Sequence, residues 1–589
     1  MYRICGGMAD RIVALWVALF YCSAVTILCV RASSPKVIYG FENASKNLIK
    51  NWGFEDDFDP NKGDWYPVNA KYKFVDEAHT GNRSIRVLNR TATLGAGVTQ
   101  TINLKADTTY YLSMFVKIPQ NPNGQMFGYF RVRLSTITVG LAVKSLKFEF
   151  QVEPVDLEFL LDSVSLIELP FDRNWKRQTD IAIRKYRKNK LTLSMYVPKK
   201  LNAFCKVKVK LRQKKRHFGF GSAMKADIFN GENTFGEKYR DFFFKYFEWA
   251  VFENDMKWKA MERWKGSPKL GRVDTSLDHL EAKNVTTRGH AVLWSVKNFN
   301  PNWAQSLTGD DLVDAVNTRI DYVVKHFKGR LIQWDGINEY LHGNFYSKMT
   351  NDPLFIDKVH KRIHSIDPDV DIVVNDYQTL RDSELMSALV DLADTLRKRN
   401  VPVHGIGLQS HMIYVPTSPE AIKKRLEIAT SIGLPVTLTE VSIHSTNVSL
   451  RAWQLEVLLR MAFSNPGVRG FVLWEFSDLD EIDYEAAETA LFTGADYTPN
   501  EAGAVLQKLL KRWKTSRNFV PKARYMDEQL SAYHGLYEAQ IYYKKKFIKK
   551  VTFYLHPGED LKFRIPLTDA EVEEVADGDP DTCDSVNQT

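Results

Sequence analysis

The chain has 589 residues, 44% of them apolar and 26% charged, with a formal net charge of +9. That length exceeds one ordinary domain, and the apolar share is enough for packed cores, which excludes both a lone small module and a disordered chain. Cysteines stand at 5, 22, 29, 205 and 583. Once the first three are set aside with the apolar leader, Cys205 and Cys583 allow neither a disulfide framework nor zinc-finger spacing.

Residues 12–30 (IVALWVALFYCSAVTILCV) are uncharged and apolar, follow Arg3 and Arg11, and end at the small-residue site Val30-Arg31-Ala32. A cleaved secretory signal peptide over 1–32 is expected, and with it a secreted, extracellular chain. Nineteen residues also just suffice to span a bilayer, so a signal-anchored protein is the alternative. With the signal cleaved, no stable membrane insertion is expected. Six N-x-S/T sequons, at Asn43, Asn82, Asn89, Asn284, Asn447 and Asn587, agree with a glycosylated chain. Aromatic residues make up 12%. In a secreted protein they serve as core or as flat platforms on which pyranose rings stack.

Residues 36–170 alternate in "YYLSMFVKI" and "FRVRLSTITV" between turn signals, which predicts a β-sandwich. Residues 171–216 read as a basic connector with one or two strands. Between 173 and 216 stand 17 Lys or Arg and one acid, Asp180. A solvated strand face accounts for such a run, and attraction to acidic polysaccharide is the functional reading. A secretory signal argues against nucleic acid.

From 217 the texture changes. Eight strand-length apolar runs start near 217, 249, 286, 331, 371, 403, 434 and 467, with helical periodicity between them as in "DLVDAVNTRIDYVVKHF". Eight strand-helix units predict an α/β TIM (β/α)8 barrel over 217–515, ending on the helix "AGAVLQKLLKRW". A small C-terminal β-module over 516–567 and an acidic, disordered tail over 568–589 complete the expected order.

Barrel chemistry sits at the C-terminal strand ends. There the sequence places Glu253, Asn254, Lys257 and Trp258 after strand two, His290 and Trp294 after three, and Asn338 and Glu339 after four. Asn375 and Tyr377 follow strand five, Gln409 and His411 six, Glu440 seven, and Trp474 eight. Glu339 and Glu440 then face each other among amides, imidazoles and indoles, an arrangement suited to glycosidic bond cleavage.

These segments resemble glycoside hydrolase family 10, the retaining endo-β-1,4-xylanases. The motifs are E-N-x-M-K-W (Glu253 to Trp258), G-H-x-x-x-W (Gly289 to Trp294), W-D-x-x-N-E (Trp334 to Glu339), N-D-Y (Asn375 to Tyr377), G-L-Q-S-H (Gly407 to His411) and T-E (Thr439, Glu440), in order over about 215–515. The resemblance implies Glu339 as acid/base and Glu440 as nucleophile. Asn338 would bond the sugar 2-hydroxyl, and His411 would orient Glu440. Glu253, Asn254 and Lys257 would hold the next sugar, and His290, Trp294, Gln409 and Trp474 would line the cleavage subsite. Lys297 and Tyr377 join them as substrate-binding candidates. No cofactor and no metal is implied, and a monomer is expected. More weakly, "NLIKNWGFE", "HTGNRS" and "DSVSL" in 36–170 are similar to carbohydrate-binding modules of the family 22 or family 4 type, with Trp65 and Tyr66 as candidate sugar contacts.

Three positions depart from the family. Ser442 stands where an Asp usually partners the histidine, Lys297 replaces a glutamine, and a second tryptophan after strand eight is missing, with Tyr484 the nearest aromatic. Ser442 leads to an expectation of a less readily protonated His411 and a changed pH profile or rate, and the other two to an expectation of β-1,4-glucanase activity beside xylanase. The alternative from another class is a non-hydrolytic polysaccharide-binding protein on a retained barrel.

Overall fold

The computed structural model describes residues 47–575 apart from 60, 62–63, 92–95, 103–107, 118–129, 140–141, 153–157, 170, 202, 382, 414–416, 480–485 and 574, together with the strands Leu15–Val17 and Val25–Val30. Tyr484, the cleavage site near 31 and the tail beyond 575 lie outside the described residues.

Eight parallel strands close a barrel in chain order: Gly219–Met224, Trp249–Phe252, Thr286–Gly289, Gln333–Asp335, Asp371–Asp376, Gly405–Leu408, Val436–His444 and Val468–Leu473. The eighth returns to the first, with Gly219 opposite Gly470. All eight coincide with the apolar runs read from the sequence. Each strand is covered on both faces, by the barrel interior and by helices, so it reads as a continuous apolar run rather than an alternating one. Trp249–Phe252 and Gly405–Leu408 are buried at every residue. Gly289 is needed because a Cβ there would stand 2.2 Å from the Trp334 indole. Some of the barrel helices start on side-chain caps, among them Ser418 before Pro419, Asn447 before Val448 and Asn500 before Glu501.

The N-terminal region is the expected sandwich. One sheet contains Thr108–Lys117, Phe159–Leu169, Ser84–Leu88 and Lys71–Val75, and the other pairs Phe130–Val139 with Ala142–Val152. The leader strands Leu15–Val17 and Val25–Val30 pair in parallel with Phe130–Val139 and Thr108–Lys117. Trp65 is a core residue here, not a sugar platform. It is fully buried, packs on Phe54 at 5.4 Å and donates through Nε1 to the Asn51 carbonyl at 3.2 Å. Tyr66 is half-buried. The described sequon asparagines, Asn82, Asn89, Asn284 and Asn447, are exposed.

The basic segment does more than connect. It forms the helix Trp175–Arg187 and the strands Lys188–Tyr196 and Val207–Arg216. These strands pair with segments beyond the barrel: Lys188–Tyr196 lies between Tyr525–Tyr533 and Leu561–Ile565, and Val207–Arg216 lies between Ser516–Phe519 and Gly535–Tyr543. The C-terminal β-module is thus a second two-sheet sandwich drawing two strands from in front of the barrel, with its own core of Leu191, Leu193, Val209, Leu211, Ile541 and Leu555 among others. Alternate positions of Val207–Arg216 enter that core while lysines point outward, which gives the segment its basic look. Cys205 is disulfide-bonded, a single cross-link rather than a framework.

Two arginines of the segment are structural. Arg187 donates to the carbonyls of Phe463 (2.8 Å), Asn465 (2.5 Å) and Val468 (2.7 Å), closing the end of the barrel helix Val448–Ser464. Burial lowers its guanidinium to about 10. Arg216 pairs with Glu248 at 2.8 Å and caps Leu510 and Trp513. Arg187→Ala takes a donor from three carbonyls, of which Asn465 keeps the Val468 N–H, and we expect a loss of about 3 kcal/mol, read as a lower urea midpoint. Lys185→Ala, on the same helix beside the half-exposed Tyr186, changes it by less than about 0.5 kcal/mol.

Candidate active site

The strand ends converge as the sequence indicates, and the backbone there is bent to aim side chains inward. Glu339, Gln378, Ser410 and Glu475 have φ of +57°, +60°, +65° and +69°. Each such non-glycine residue costs roughly 1–3 kcal/mol, strain that collects at functional mouths. Two short extensions set the remaining neighbours. Leu293–Trp294 pairs with Ile337–Asn338, placing Trp294 opposite Asn338, and His411–Ile413 pairs with strand seven, placing His411 opposite Ser442.

Glu339 is almost fully buried. It accepts from Trp294 Nε1 at 2.7 Å and from Gln409 Nε2 at 3.2 Å. Burial raises its carboxyl to about 7; the two hydrogen bonds act against the rise, and the Asp376 and Glu440 charges add to it. Glu440 is equally buried but sits among donors and cations. Asn375 Nδ2 donates to Oε1 at 2.9 Å, His290 Nδ1 lies 3.9 Å from Oε1, and His411 Nε2 lies 3.5 Å from Oε2. Burial pushes this carboxyl up, but His290, His411 and Arg288 outweigh it and hold it at about 2. Two carboxyl groups with environments that drive them apart define an acid and a carboxylate at the same pH.

Beneath them lies a buried ion cluster. Asp335 accepts from Arg288 Nη2 at 2.5 Å and from His290 Nδ1 at 2.7 Å, all three side chains being fully shielded. Asn375 ties the floor together, donating toward Asn338 (3.1 Å) and Glu440 while its oxygen accepts from Thr439 at 2.7 Å. His290 Nε2 and Asn338 Nδ2 are buried and find no partner among the described residues, a condition that suits groups meant for a bound hydroxyl.

On one flank Lys257 donates to Asn254 at 2.8 Å and lies over the Trp294 and Trp474 rings at 5.0 and 5.5 Å. Burial lowers its ammonium, with Glu440 the largest of the opposing charges. Asn254 in turn donates to Glu253 at 2.8 Å. A cavity of about 430 Å³ opens on this side, lined by Glu253, Asn254, His411 and Trp474 together with Lys225 and Glu475. Tyr377 stacks on His342 at 3.6 Å, and His342 Nδ1 meets Asp376 at 2.6 Å. Lys297 takes part in none of these contacts. It is exposed on the turn Lys297–Phe299, whose Phe299 packs on Trp294 at 4.5 Å.

Sequence reasoning gave no role to Arg288, Asp335, Lys225, Glu475 or His444. Asp335 stands inside W-D-x-x-N-E and Arg288 just before G-H-x-x-x-W, so position within the motifs was the available signal for those two. Nothing local marks Lys225 or Glu475, which meet across strands one and eight at 3.7 Å.

Residues 209–507 match Glycosyl hydrolase family 10, and residues 46–134 match a Carbohydrate binding domain. Endo-1,4-beta-xylanase 1 of Arabidopsis thaliana is 29% identical over 485 residues, covering 77% of this chain and 49% of that protein. Anti-sigma-I factor RsgI6 of Acetivibrio thermocellus is 31% identical over 299 residues, covering 51% of this chain and 38% of that protein. The chain thus spans about half or less of the length of these two curated relatives. Among solved structures, xylanase 10B from Thermotoga petrophila RKU-1 in complex with xylobiose covers 50% of this chain and 94% of its own at 23% identity, with a TM-score of 0.46.

Proposed function

Because the chain belongs to glycosyl hydrolase family 10, we propose that it is a secreted, retaining endo-β-1,4-glycanase that hydrolyses xylan by double displacement and works as a monomer. The observation that carries this reading is the opposed ionisation of Glu339, raised to about 7, and Glu440, lowered to about 2. Glu440 attacks the anomeric carbon as Glu339 gives its proton to the departing oxygen, leaving a glycosyl ester on Glu440. Glu339, now a carboxylate, takes a proton from water, which displaces the ester and restores the original anomeric configuration. Asn338 and His290 hold buried polar atoms ready for sugar hydroxyls. The apolar leader and the exposed sequons support secretion, and among the described residues no helix is long and apolar enough to cross a membrane.

The test is release of reducing sugar from xylan, with the anomer followed by NMR. The retained β-anomer appears first, and an inverted product would overturn the mechanism. The second reading is a polysaccharide-binding protein that does not hydrolyse, favoured by one observation: a relative matching half of this chain is named as an anti-sigma factor. Retained binding to xylan with no sugar release from xylan, carboxymethyl cellulose or mannan would decide for it.

Glucan is the proposed second substrate. Glucose differs from xylose by a hydroxymethyl group at C5, and rejecting such a difference is worth roughly 1–3 kcal/mol in a pocket. Exposed Lys297 is free to swing from that space where a glutamine would fill it. We expect measurable cleavage of an aryl β-cellobioside, with the xylobioside preferred. Lys297→Gln should lower the cellobioside-to-xylobioside ratio of kcat/KM several-fold, and an unchanged ratio rules out the lysine as the cause.

A further inference from the structure

Behind the nucleophile the hydrogen bonds run on to a residue outside the family motifs. His411 Nε2 lies 3.5 Å from Glu440 Oε2, His411 Nδ1 lies 2.7 Å from Ser442 Oγ, and Ser442 Oγ lies 3.0 Å from His444 Nε2. Ser442 and His444 share a face of strand seven, because side chains two apart in a strand point the same way. All three of His411, Ser442 and His444 line the 430 Å³ cavity, so the far end of the chain of bonds is open to it.

A hydroxyl carries one hydrogen. If Ser442 donates to one imidazole nitrogen, the other nitrogen must carry its own hydrogen and donate to Oγ. The two rings are therefore locked in opposite senses. With His411 neutral and its Nε2–H on Glu440, Nδ1 accepts from Ser442 and His444 Nε2 donates. When His411 gains a proton on Nδ1, the hydroxyl turns and His444 Nε2 must accept. A carboxylate at position 442 would impose no such rule, since it accepts from both rings at once.

We propose that His444 is a positioning residue for the nucleophile, acting through Ser442 to fix the protonation state of His411 and so the acid limb of the pH profile. This rests on the hydrolytic reading above. Charged groups line the relay on both sides. Glu253 and Glu475 share Lys225, each 3.7 Å from its Nζ, and Asp255 pairs with Arg272 at 3.2 Å. Asp227 also lines the cavity, and the main-chain carbonyl of Glu488 accepts from Ser445 N, next to His444, at 3.1 Å. On the other side Glu440 faces His411 directly, with His290 and Lys257 on its far flank. Most cavity carboxylates already have cations, whereas Glu440 is ionised and adjacent. An imidazolium at His411 would face Glu440 directly, with His444 as the acceptor that completes its bonds through Ser442. An imidazolium on Glu440 pins the attacking oxygen, so activity falls as that proton arrives.

The experiment is the pH profile of kcat/KM on an aryl β-xylobioside, with the His411 imidazole titration followed in parallel by NMR. His444→Phe removes the acceptor, and the acid limb should move to lower pH by about half a unit, a threefold change in proton affinity. His444→Gln, whose amide oxygen accepts the same hydrogen, should restore it. Ser442→Ala breaks the chain in the middle and should give the same displacement, with no further movement in the double variant because both act on one chain. The position of the limb is read independently of the height of the plateau, so a loss of folded enzyme does not blur it. An unmoved limb in His444→Phe, movement to higher pH, or additive shifts would overturn the relay. If the unsubstituted protein hydrolyses nothing, the functional reading fails, and the NMR titration alone decides the relay by the same criteria.

Discussion

Glu440→Ala abolishes xylan hydrolysis, with kcat/KM falling by at least about 10⁴-fold, the scale seen when a covalent nucleophile is removed. The side chain is held ionised by donors on both oxygens and by the Arg288–Asp335–His290 cluster beneath it, and no other carboxylate described here is held in that environment. Alanine leaves a small anion-sized gap lined by Asn375, His290 and His411. Azide entering it attacks the anomeric carbon from the nucleophile's face and gives the α-glycosyl azide on an activated aryl glycoside. Absence of that product, or azide rescue of the β-anomer, would move the nucleophile elsewhere.

Glu339→Ala separates substrates instead of stopping all of them. Positioned general acids contribute roughly 10²–10⁴-fold. That loss should fall on xylan, whose sugar leaving group needs a proton, and hardly at all on the glycosylation step of a dinitrophenyl xylobioside. The pH sign follows from the raised carboxyl. Glu339 must be protonated to act, so activity on xylan drops about tenfold per pH unit above about 7 and holds below it down to the acid limb. Glu440 at about 2 stays ionised throughout that window. Trp294→Phe deletes the indole bond that favours the charged form, so the alkaline limb should move to higher pH. Equal losses on both substrates, or a limb unmoved by Glu339→Gln on xylan, would contradict the assignment.

What the sequence disclosed depends on how local the cause is. The barrel strands were legible because burial on both faces is written into each run, as in "DIVVND" and "GIGL". The carboxylates were legible because they end such runs. The helix Trp175–Arg187 was not, since two of the four residues on its buried stripe, Trp175, Thr179, Ile183 and Arg187, are polar. The strand Val207–Arg216 looked like a connector because its partners lie more than 300 residues away. Trp65 was open to two readings because an indole beside a tyrosine fits a core as well as a platform; its burial against Phe54 chooses. Asp335 and Arg288 needed two neighbouring strands in register before they could meet.

The second sandwich has a temporal side. Val207–Arg216 leaves the ribosome about 320 residues before its partner Gly535–Tyr543. At roughly 5–20 residues per second that is a wait of roughly 15–60 s. The barrel is made entirely within this interval, and its first and eighth strands must find each other while Lys188–Tyr196 and Val207–Arg216 still present open edges. Such edges invite pairing with other chains. The outward lysines at 208, 210 and 214 then serve a nascent chain as charge guards, keeping an unpaired strand soluble until the last strands of the protein arrive to clasp it.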